Sequence, residues 1–548
     1  LFEYPFSFLI FVAMRFILHF LTFALVSNLA IAQITLSSSH LDFGKKQTTT
    51  MDSLPLTITN SGVSDYSFTN ILIVPRFAYF RQDSQFSIHQ VSKYITIKSG
   101  QSITMYVRFK PLQNIRYKTQ LLFVSDKVPG CFAVTLTGEG RYAETYYDST
   151  FDKYDEDLKT ALKTLLAKGY INLGYNGARD AMYASIDNIG GQVECVYTGR
   201  KATFNTRSGA TSNNFNCEHT FPQGFFGQSE PMRADIHHLF STDETANNKR
   251  DNDQFGYVSS PTWSVGGSKW ANSVFEPRNE QKGATARAML YFVLRYQDYT
   301  NFLAPQEVLL RNWHKQYPPN TRDITRNTAI FNVQKNRNPL VDHPEMEERI
   351  SSFTSNKVKS SVSNPELVTK VIDFGKLTAN DSAEYTNILL EKGNLQSLID
   401  LSGYSKPWFN LKLSATSISG GEASTLSIKV RGSKLPTNFI SDSLDIKIGS
   451  QVFKFIYKAS IGAATKLTQS KLTGIYLTNP IQHNLHFSED LSIDTELSLL
   501  DAFGRLMFFT EINSQLNDIE IPMLKTGCYF VVLKHNNQLN HLKIFITP

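Results

Sequence analysis

The apolar residues of this chain change their spacing twice, and those changes constrain the fold more than any other feature. Between residues 35 and 140 they alternate with polar ones, as in Leu54-Pro-Leu-Thr-Ile-Thr59 and Ile103-Thr-Met-Tyr-Val-Arg-Phe109. Turn clusters at Asn60-Ser-Gly62 and Lys98-Ser-Gly100 separate the runs. A period of two sends successive side chains to opposite faces of a strand, so the pattern predicts a small antiparallel sandwich. At Leu158, Ala161, Leu162 and Leu165 the period becomes helical, with Gly169 placed to end the helix. Residues 282–299 repeat that period through Ala286, Leu290 and Val293, and 306–317 form a third predicted helix. Alternation returns at 367–462, where Ile372-Asp-Phe-Gly375 echoes Leu41-Asp-Phe-Gly44 and Ile418-Ser-Gly-Gly421 echoes Ile97-Lys-Ser-Gly100. Two copies make a pair of related sandwiches, not a solenoid.

A chain of 548 residues exceeds one hydrophobic core. The expected organisation is multidomain: an α+β core at 141–350 flanked by all-β sandwiches at 33–140 and 367–465, and a β-rich tail at 466–548. Residues 351–364 hold six serines in fourteen positions, and 351–366 is the expected linker. Met14-Arg15 precedes an apolar run that exits at Ala30-Ile31-Ala32, which predicts a secretory signal peptide over 1–32 with Met14 as its start. The alternative is a membrane anchor over 6–32. Cleavage would leave a mature protein with no stable membrane span. The net charge of +6 suggests a polyanion partner, yet residues 141–350 carry 24 Lys and Arg against 25 Asp and Glu. Phosphate affinity must therefore come from a local patch and a bound metal.

The chemistry is concentrated in Cys217-Glu-His-Thr-Phe-Pro222, Asp235-Ile-His-His-Leu239 and Asn247-Asn-Lys-Arg-Asp-Asn252. Hydrolysis of a phosphodiester needs a base for water, a cation for the phosphate and something to stabilise the leaving oxygen. Histidine, whose unperturbed pKa is about 6.5, suits the first role. A hard divalent cation suits the others and prefers carboxylate, amide and water oxygens. Glu218, His219 and Asn247 supply that set. Glu218 and His219 can serve one site from adjacent positions only where the strand ends, and Pro222 and Gly224 follow at once. Ser241-Thr-Asp-Glu244 has capping-box spacing, so a helix is expected from about Thr242, carrying Asn247 with Arg250 on the same face. A strand-end histidine facing a helix-borne asparagine is the ββα-metal layout.

Over 141–350 the chain resembles the endonuclease I family of secreted and periplasmic bacterial nucleases. Besides the three elements above, the resemblance takes in Lys282-Gly283 with Arg287, and Gln334-Lys-Asn-Arg-Asn-Pro-Leu-Val-Asp-His-Pro344. It implies His219 as general base, with Glu218 and Asn247 holding one magnesium ion, for which manganese or calcium are substitutes. It further implies DNA as substrate, with RNA as a second, bound through the phosphate backbone. Members with a longer insertion after the Glu-His pair carry a phosphate-binding arginine there. This chain lacks the insertion, so Arg250 and Arg233 are the candidates, Arg250 preferred for its place near Asn247.

Asp235, His237, Asn252 and Arg287 are supporting residues, in contact with substrate or behind the site. His237 either orients the site through hydrogen bonds or packs in the core; Arg287 is expected in a structural ion pair, and His343 as a tie closing the domain. Cys195 and Cys217 bracket the approach to the site and are a candidate disulfide, while Cys131 and Cys528 are expected to stay unpaired. The chain has no His-Glu-x-x-His and no Cys-x-x-Cys, which argues against tetrahedral zinc.

The sandwiches resemble immunoglobulin-like domains of the abnormal-spindle/hydin type. The tail resembles the C-terminal sorting domain of type IX secretion, through Ile475-Tyr-Leu-Thr-Asn-Pro480, Asp501-Ala-Phe-Gly504 and Leu524-Lys-Thr-Gly-Cys-Tyr-Phe-Val531. That implies the secretion machinery as partner and a secreted or cell-surface location. The leading expectation is a sequence-non-specific, metal-dependent endonuclease. Its rivals are a surface adhesion protein carrying a decayed nuclease module, and a specific nicking or toxin-like nuclease.

Overall fold

The repeated Asp-Phe-Gly triplet marks the same bend in two β-sandwiches. In the first, His40–Gln47 runs parallel to Phe132–Arg141, and the register slips between Asp42 and Lys45. In the second, Val371–Leu377 runs parallel to Gln451–Ile461 and slips between Asp373 and Lys376. Gly44 at φ +62° and Gly375 at φ +71° occupy the slip, in a left-handed conformation that costs glycine little. Each glycine N–H donates to the aspartate two residues back, at 3.1 Å to Asp42 and 2.8 Å to Asp373.

The structure is a computed structural model that describes residues 34–461 and 484–546, apart from 77–81, 90–91, 93, 298–299, 361, 380, 403, 437, 492–493, 502–504, 515 and 536–537. The expected signal peptide and the tail pieces at 475–480 and 502–504 lie outside the described residues. The chain divides into two compact units, Leu1–Ile461 and Gly462–Pro548. In the second unit, Leu506–Ile512, Thr495–Asp501, Gly527–His535 and Gln538–Ile546 form one sheet in that order, over a core that includes Leu485, Phe487, Leu497 and Val531.

Within the first unit the two sandwiches share apolar surface. Val74, Leu122 and Cys131 of the first belong to the core cluster of the second, beside Tyr385 and Ile388. Gly130 forms a parallel bridge with Thr386, and the Tyr385 hydroxyl donates to the Ser125 carbonyl at 2.7 Å. A Cβ at Gly130 would lie 2.3 Å from the Thr386 carbonyl oxygen, so the backbones meet there only through glycine. The seam between the first sandwich and the α+β segment is polar. Buried Arg349 donates to Asn114 Oδ1 at 2.6 Å and to the Thr150 carbonyl at 2.7 Å.

The α+β segment is built around helix Asn279–Tyr296, with Asp155–Ala167 and Glu307–Gln316 packed on it. The sequence places this helix three residues later and gives it one apolar face. In fact it stops where Gln297 takes φ +62°, and it is buried on nearly every side, Arg287 and Arg295 included. A further helix, Thr321–Gln334, opens with a capping box between Asn320 and Asp323 and has too weak an apolar stripe to be read from spacing. The serine-rich stretch after 350 has no regular structure but is held down. Lys159 Nζ donates to the carbonyls of Ser352 and Ser355, at 3.1 and 2.6 Å, and the Glu307 carboxylate accepts from the Phe353 N–H at 2.9 Å and the Thr354 hydroxyl at 2.7 Å. Among the described residues no helix is long and apolar enough to cross a membrane.

Candidate active site

Strands Phe215–His219 and Leu239–Asp243 pair antiparallel, Glu218 opposite Phe240 and His219 opposite Leu239. The second strand runs directly into helix Glu244–Arg250, where the Asp243 carboxylate accepts the Ala246 N–H at 2.8 Å. Asp243 is thus the cap; Ser241, favoured by the sequence spacing, stays in the strand and donates to Asp187 Oδ2 at 2.8 Å. Strand, strand and helix bring Glu218, His219 and Asn247 to one cleft of about 480 Å³. Its other walls are rich in amides, from Gln223, Gln228, Asn248 and Asn252, with Asp251 beside them.

His219 is the last residue of its strand, and its ring is nearly buried. Nε2 lies 3.1 Å from the Arg233 carbonyl, an acceptor only, so Nε2 carries the proton and Nδ1 keeps a lone pair. Burial pushes the imidazole pKa down to about 3, helped by His238 and by the charges of Arg233 and Arg250. The ring is therefore neutral at ordinary pH, as a proton acceptor must be. Tyr175, at 5.4 Å between ring centroids, and His238, at 5.6 Å, flank it.

Glu218 is buried and addressed from one side. The Tyr197 hydroxyl donates to Oε1 at 2.7 Å and Arg250 Nε lies 3.0 Å from the same atom, so Oε2 is the oxygen left to serve the cleft. Burial raises its pKa, against the opposing pull of Arg250 and Tyr197. With Asn247 half-buried on the facing helix, the donors are one carboxylate and one amide. Among the described residues no three His, Cys, Asp or Glu side chains converge as a metal cage. That donor set fits a hard cation that keeps most of its water and does not fit tetrahedral zinc.

Several expected residues fall elsewhere. Arg250, the preferred phosphate contact, is wholly buried: besides Glu218 it binds the carbonyls of Thr220, at 2.5 Å, and Asp251, and its guanidinium packs over Phe255. It positions Glu218 and does not reach the cleft, which corrects the sequence reading. Cys195 and Cys217 are free thiols, which corrects the candidate disulfide. The Cys195 sulfur accepts the Asp243 N–H at 3.1 Å, whereas Cys217 lies at the cleft wall with its thiol pushed up to about 12 by burial. Cys131 and Cys528 are also free.

Asp235, His237 and Arg287 stand behind the site. Asp235 accepts from Tyr291 and Tyr296, both at 2.9 Å, and from Gln334 at 2.8 Å, with Arg295 at 3.4 Å. His237 Nε2 donates to the Asn336 carbonyl at 3.0 Å, and Arg287 pairs with Asp323 at 2.8 Å; both line a separate cavity of about 30 Å³. His343 stacks on Tyr142 and pairs with Glu144 and Glu345, joining the two ends of the segment. Spacing gave no signal for Tyr197, Gln223, Gln228 or Tyr175. The run Asn247-Asn-Lys-Arg-Asp-Asn252 does contain Asn248 and Asp251, and Asp251 holds φ +45°, a strained conformation at the cleft wall.

The family model described as Endonuclease I matches residues 145–345, and that of the secretion system C-terminal sorting domain matches 475–547. An extracellular ribonuclease of Bacillus amyloliquefaciens is 30% identical over 228 residues, covering 38% of this chain and 78% of that protein. An extracellular ribonuclease of Bacillus subtilis (strain 168) is 31% identical over the same length, with the same coverage.

Proposed function

Because the chain belongs to the endonuclease I family and ends in a secretion sorting domain, it is a secreted or cell-surface nuclease, and we propose that it is a metal-dependent hydrolase cutting the phosphate backbone of RNA and DNA without reading bases. The observation that carries this is the His219–Arg233 hydrogen bond, which leaves Nδ1 unprotonated on a residue that lines one cleft with Glu218 and Asn247. His219 Nδ1 takes a proton from water as the oxygen attacks phosphorus, and the Arg233 carbonyl stabilises the imidazolium through the Nε2 proton. Tyr197 and Arg250 hold Glu218 through Oε1, which leaves Oε2 for the cation. Magnesium held by Glu218 and Asn247 would neutralise charge on the phosphate and on the leaving oxygen. The amide walls offer donors to phosphate and sugar, where contacts carry no sequence information. RNA enters the reading from the two ribonucleases, and DNA from the likeness to the endonuclease I family.

The rival reading, an adhesion protein with a decayed nuclease, requires a lost ligand or base, and Glu218, His219 and Asn247 are all present in one cleft. The test is digestion of plasmid DNA and unstructured RNA by the full chain, with magnesium and with chelator. Magnesium-dependent loss of both substrates is expected. Cleavage undiminished by chelator would overturn the metal assignment, and inertness toward both polymers would favour decay.

A further inference from the structure

Arginines in the nuclease segment are paired with notable regularity. Every arginine from 200 to 337 except Arg233 lies within 4.0 Å of a carboxylate, as Arg207 does of Asp180 and Arg326 of Asp187. Among the described residues of the segment Arg179, Arg233 and Arg349 have no such partner, and Arg349 is wholly buried on Asn114 and the Thr150 carbonyl. The guanidiniums of Arg233 and Arg179 nevertheless come to one ring, at 4.4 and 4.1 Å from the centroid of Tyr175, and that ring is the neighbour of His219.

Helix geometry accounts for half of this, since Tyr175 and Arg179 stand four residues apart on helix Gly174–Ala181. It does not bring in Arg233, which arrives from the turn Met232–Ala234 across the site. One ring face attracts a cation, but two cations within ~9 Å of each other repel, and a neutral phenol cannot cancel both. Arg179 donates to Asn176 at 2.6 Å, a neutral acceptor, and the Nε atoms of both arginines are buried without a partner. Both side chains are only half-buried, so solvent reaches them. An anion bound there would relieve the repulsion, and the two planar donor forks match phosphate oxygens.

We infer that Arg179 and Arg233, gathered on Tyr175 beside His219, bind a backbone phosphate that flanks the one being cut. The site rests on the nuclease reading above and extends it: the segment is neutral overall, so local cations such as this pair supply its affinity for nucleic acid. Arg233 then has two tasks, its carbonyl fixing the base and its side chain fixing the strand.

The test uses the full chain in chelator, where nothing is cut, and a short fluorescent single-stranded oligonucleotide titrated at several salt concentrations. Arg179→Gln and Arg233→Gln should each weaken binding and flatten the log–log salt slope by about 0.7, the value for one phosphate contact on a single strand. The double variant should lose about twice that. Arg179→Lys should regain most of the slope, and Arg207→Gln, whose partner is Asp180, should leave it unchanged. With magnesium added, KM should rise several-fold more than kcat falls. Parental salt slopes in both glutamine variants, or a fall in kcat with unchanged binding, would overturn the inference and leave the arginines as props for Tyr175. A failure of the base assignment appears separately, as parental turnover by His219→Ala, and leaves the binding measurement intact.

Discussion

Two carboxylates in this segment have nearly the same company and opposite fates. Glu218 has a tyrosine, an arginine and a neighbouring histidine; Asp235 has two tyrosines, an arginine, a glutamine and two histidines. Partners reach both oxygens of Asp235, and they pull its pKa below the usual range although burial alone would raise it, Arg295 and His237 contributing most. Partners reach one oxygen of Glu218, and burial wins. A fully satisfied carboxylate stabilises a fold, whereas one satisfied on a single side is held at a cost beside a cleft. The Asp-x-His-x-Leu element looks as functional in sequence as the Glu-His pair, and completeness of hydrogen bonding is what separates them.

The largest expected effect tests the open side of the comparison. His219→Ala should reduce kcat by at least about 10²-fold and toward 10⁴, the range for general-base assistance, while calorimetry shows magnesium binding retained. Rescue of that variant by excess magnesium would mean the roles of His219 and Glu218 are exchanged.

Asp235→Asn comes next and should act on stability. It leaves Arg295 buried beside a neutral group, which costs about 3–5 kcal/mol, seen as a large fall in Tm with the magnesium requirement unaltered per folded molecule. Its pKa is depressed in the fold, so its stabilisation is present above the unfolded carboxylate value and disappears as pH falls through the folded one. The gap between parent and variant should therefore close in acid.

Glu218→Gln should reverse that pattern. The folded pKa is raised, so the parent carboxylate loses stability as pH rises through it. The substitution leaves buried Arg250 beside a neutral amide but also removes a charge that burial disfavours, so in chelator it should lower Tm by less than Asp235→Asn does. Catalysis should instead need more magnesium and recover in part when it is supplied, with Asn247→Ala behaving alike but more mildly. A Tm loss as large as that of Asp235→Asn would erase the distinction.

The smallest effect lies away from both carboxylates. Burial lowers the His343 pKa, but Glu345 and Glu144 outweigh it and raise it above the ordinary value. Its contribution is full below the unfolded pKa of about 6.5 and is lost as pH rises through the folded one. His343→Gln should cost more at pH 5 than at pH 9 in thermal melts, by about 1 kcal/mol or less. The pH-independent remainder is the lost stacking on Tyr142.

What spacing revealed was local. The strand-end pair Glu218-His219, the helix bearing Asn247 and the glycine-marked bends at 44 and 375 are set by residues within a few positions of each other. What it missed depends on direction in space. Arg250 shares a helix with Asn247, but its side chain turns inward to Glu218 because that buried carboxylate needs a cation. Tyr197 and Tyr175 come to the site from segments 21 and 44 residues before the residues they serve, and no spacing encodes that. The cysteines failed as a disulfide for the same reason: nearness in sequence left open where each sulfur points.

The fastening of the serine-rich stretch bears on where a protease would first enter the chain. Composition nominates the bond after residue 350, yet the next five residues are clamped by Lys159 and Glu307, and a protease engages backbone that is exposed or locally unfolded. The Lys359 N–H also donates to Asp155 at 3.2 Å, so the first nick should fall beyond Lys359. A nuclease fragment trimmed at 350 would strip Lys159 and Glu307 of their bonds to this stretch and leave them their ion pairs with Glu156 and Arg311.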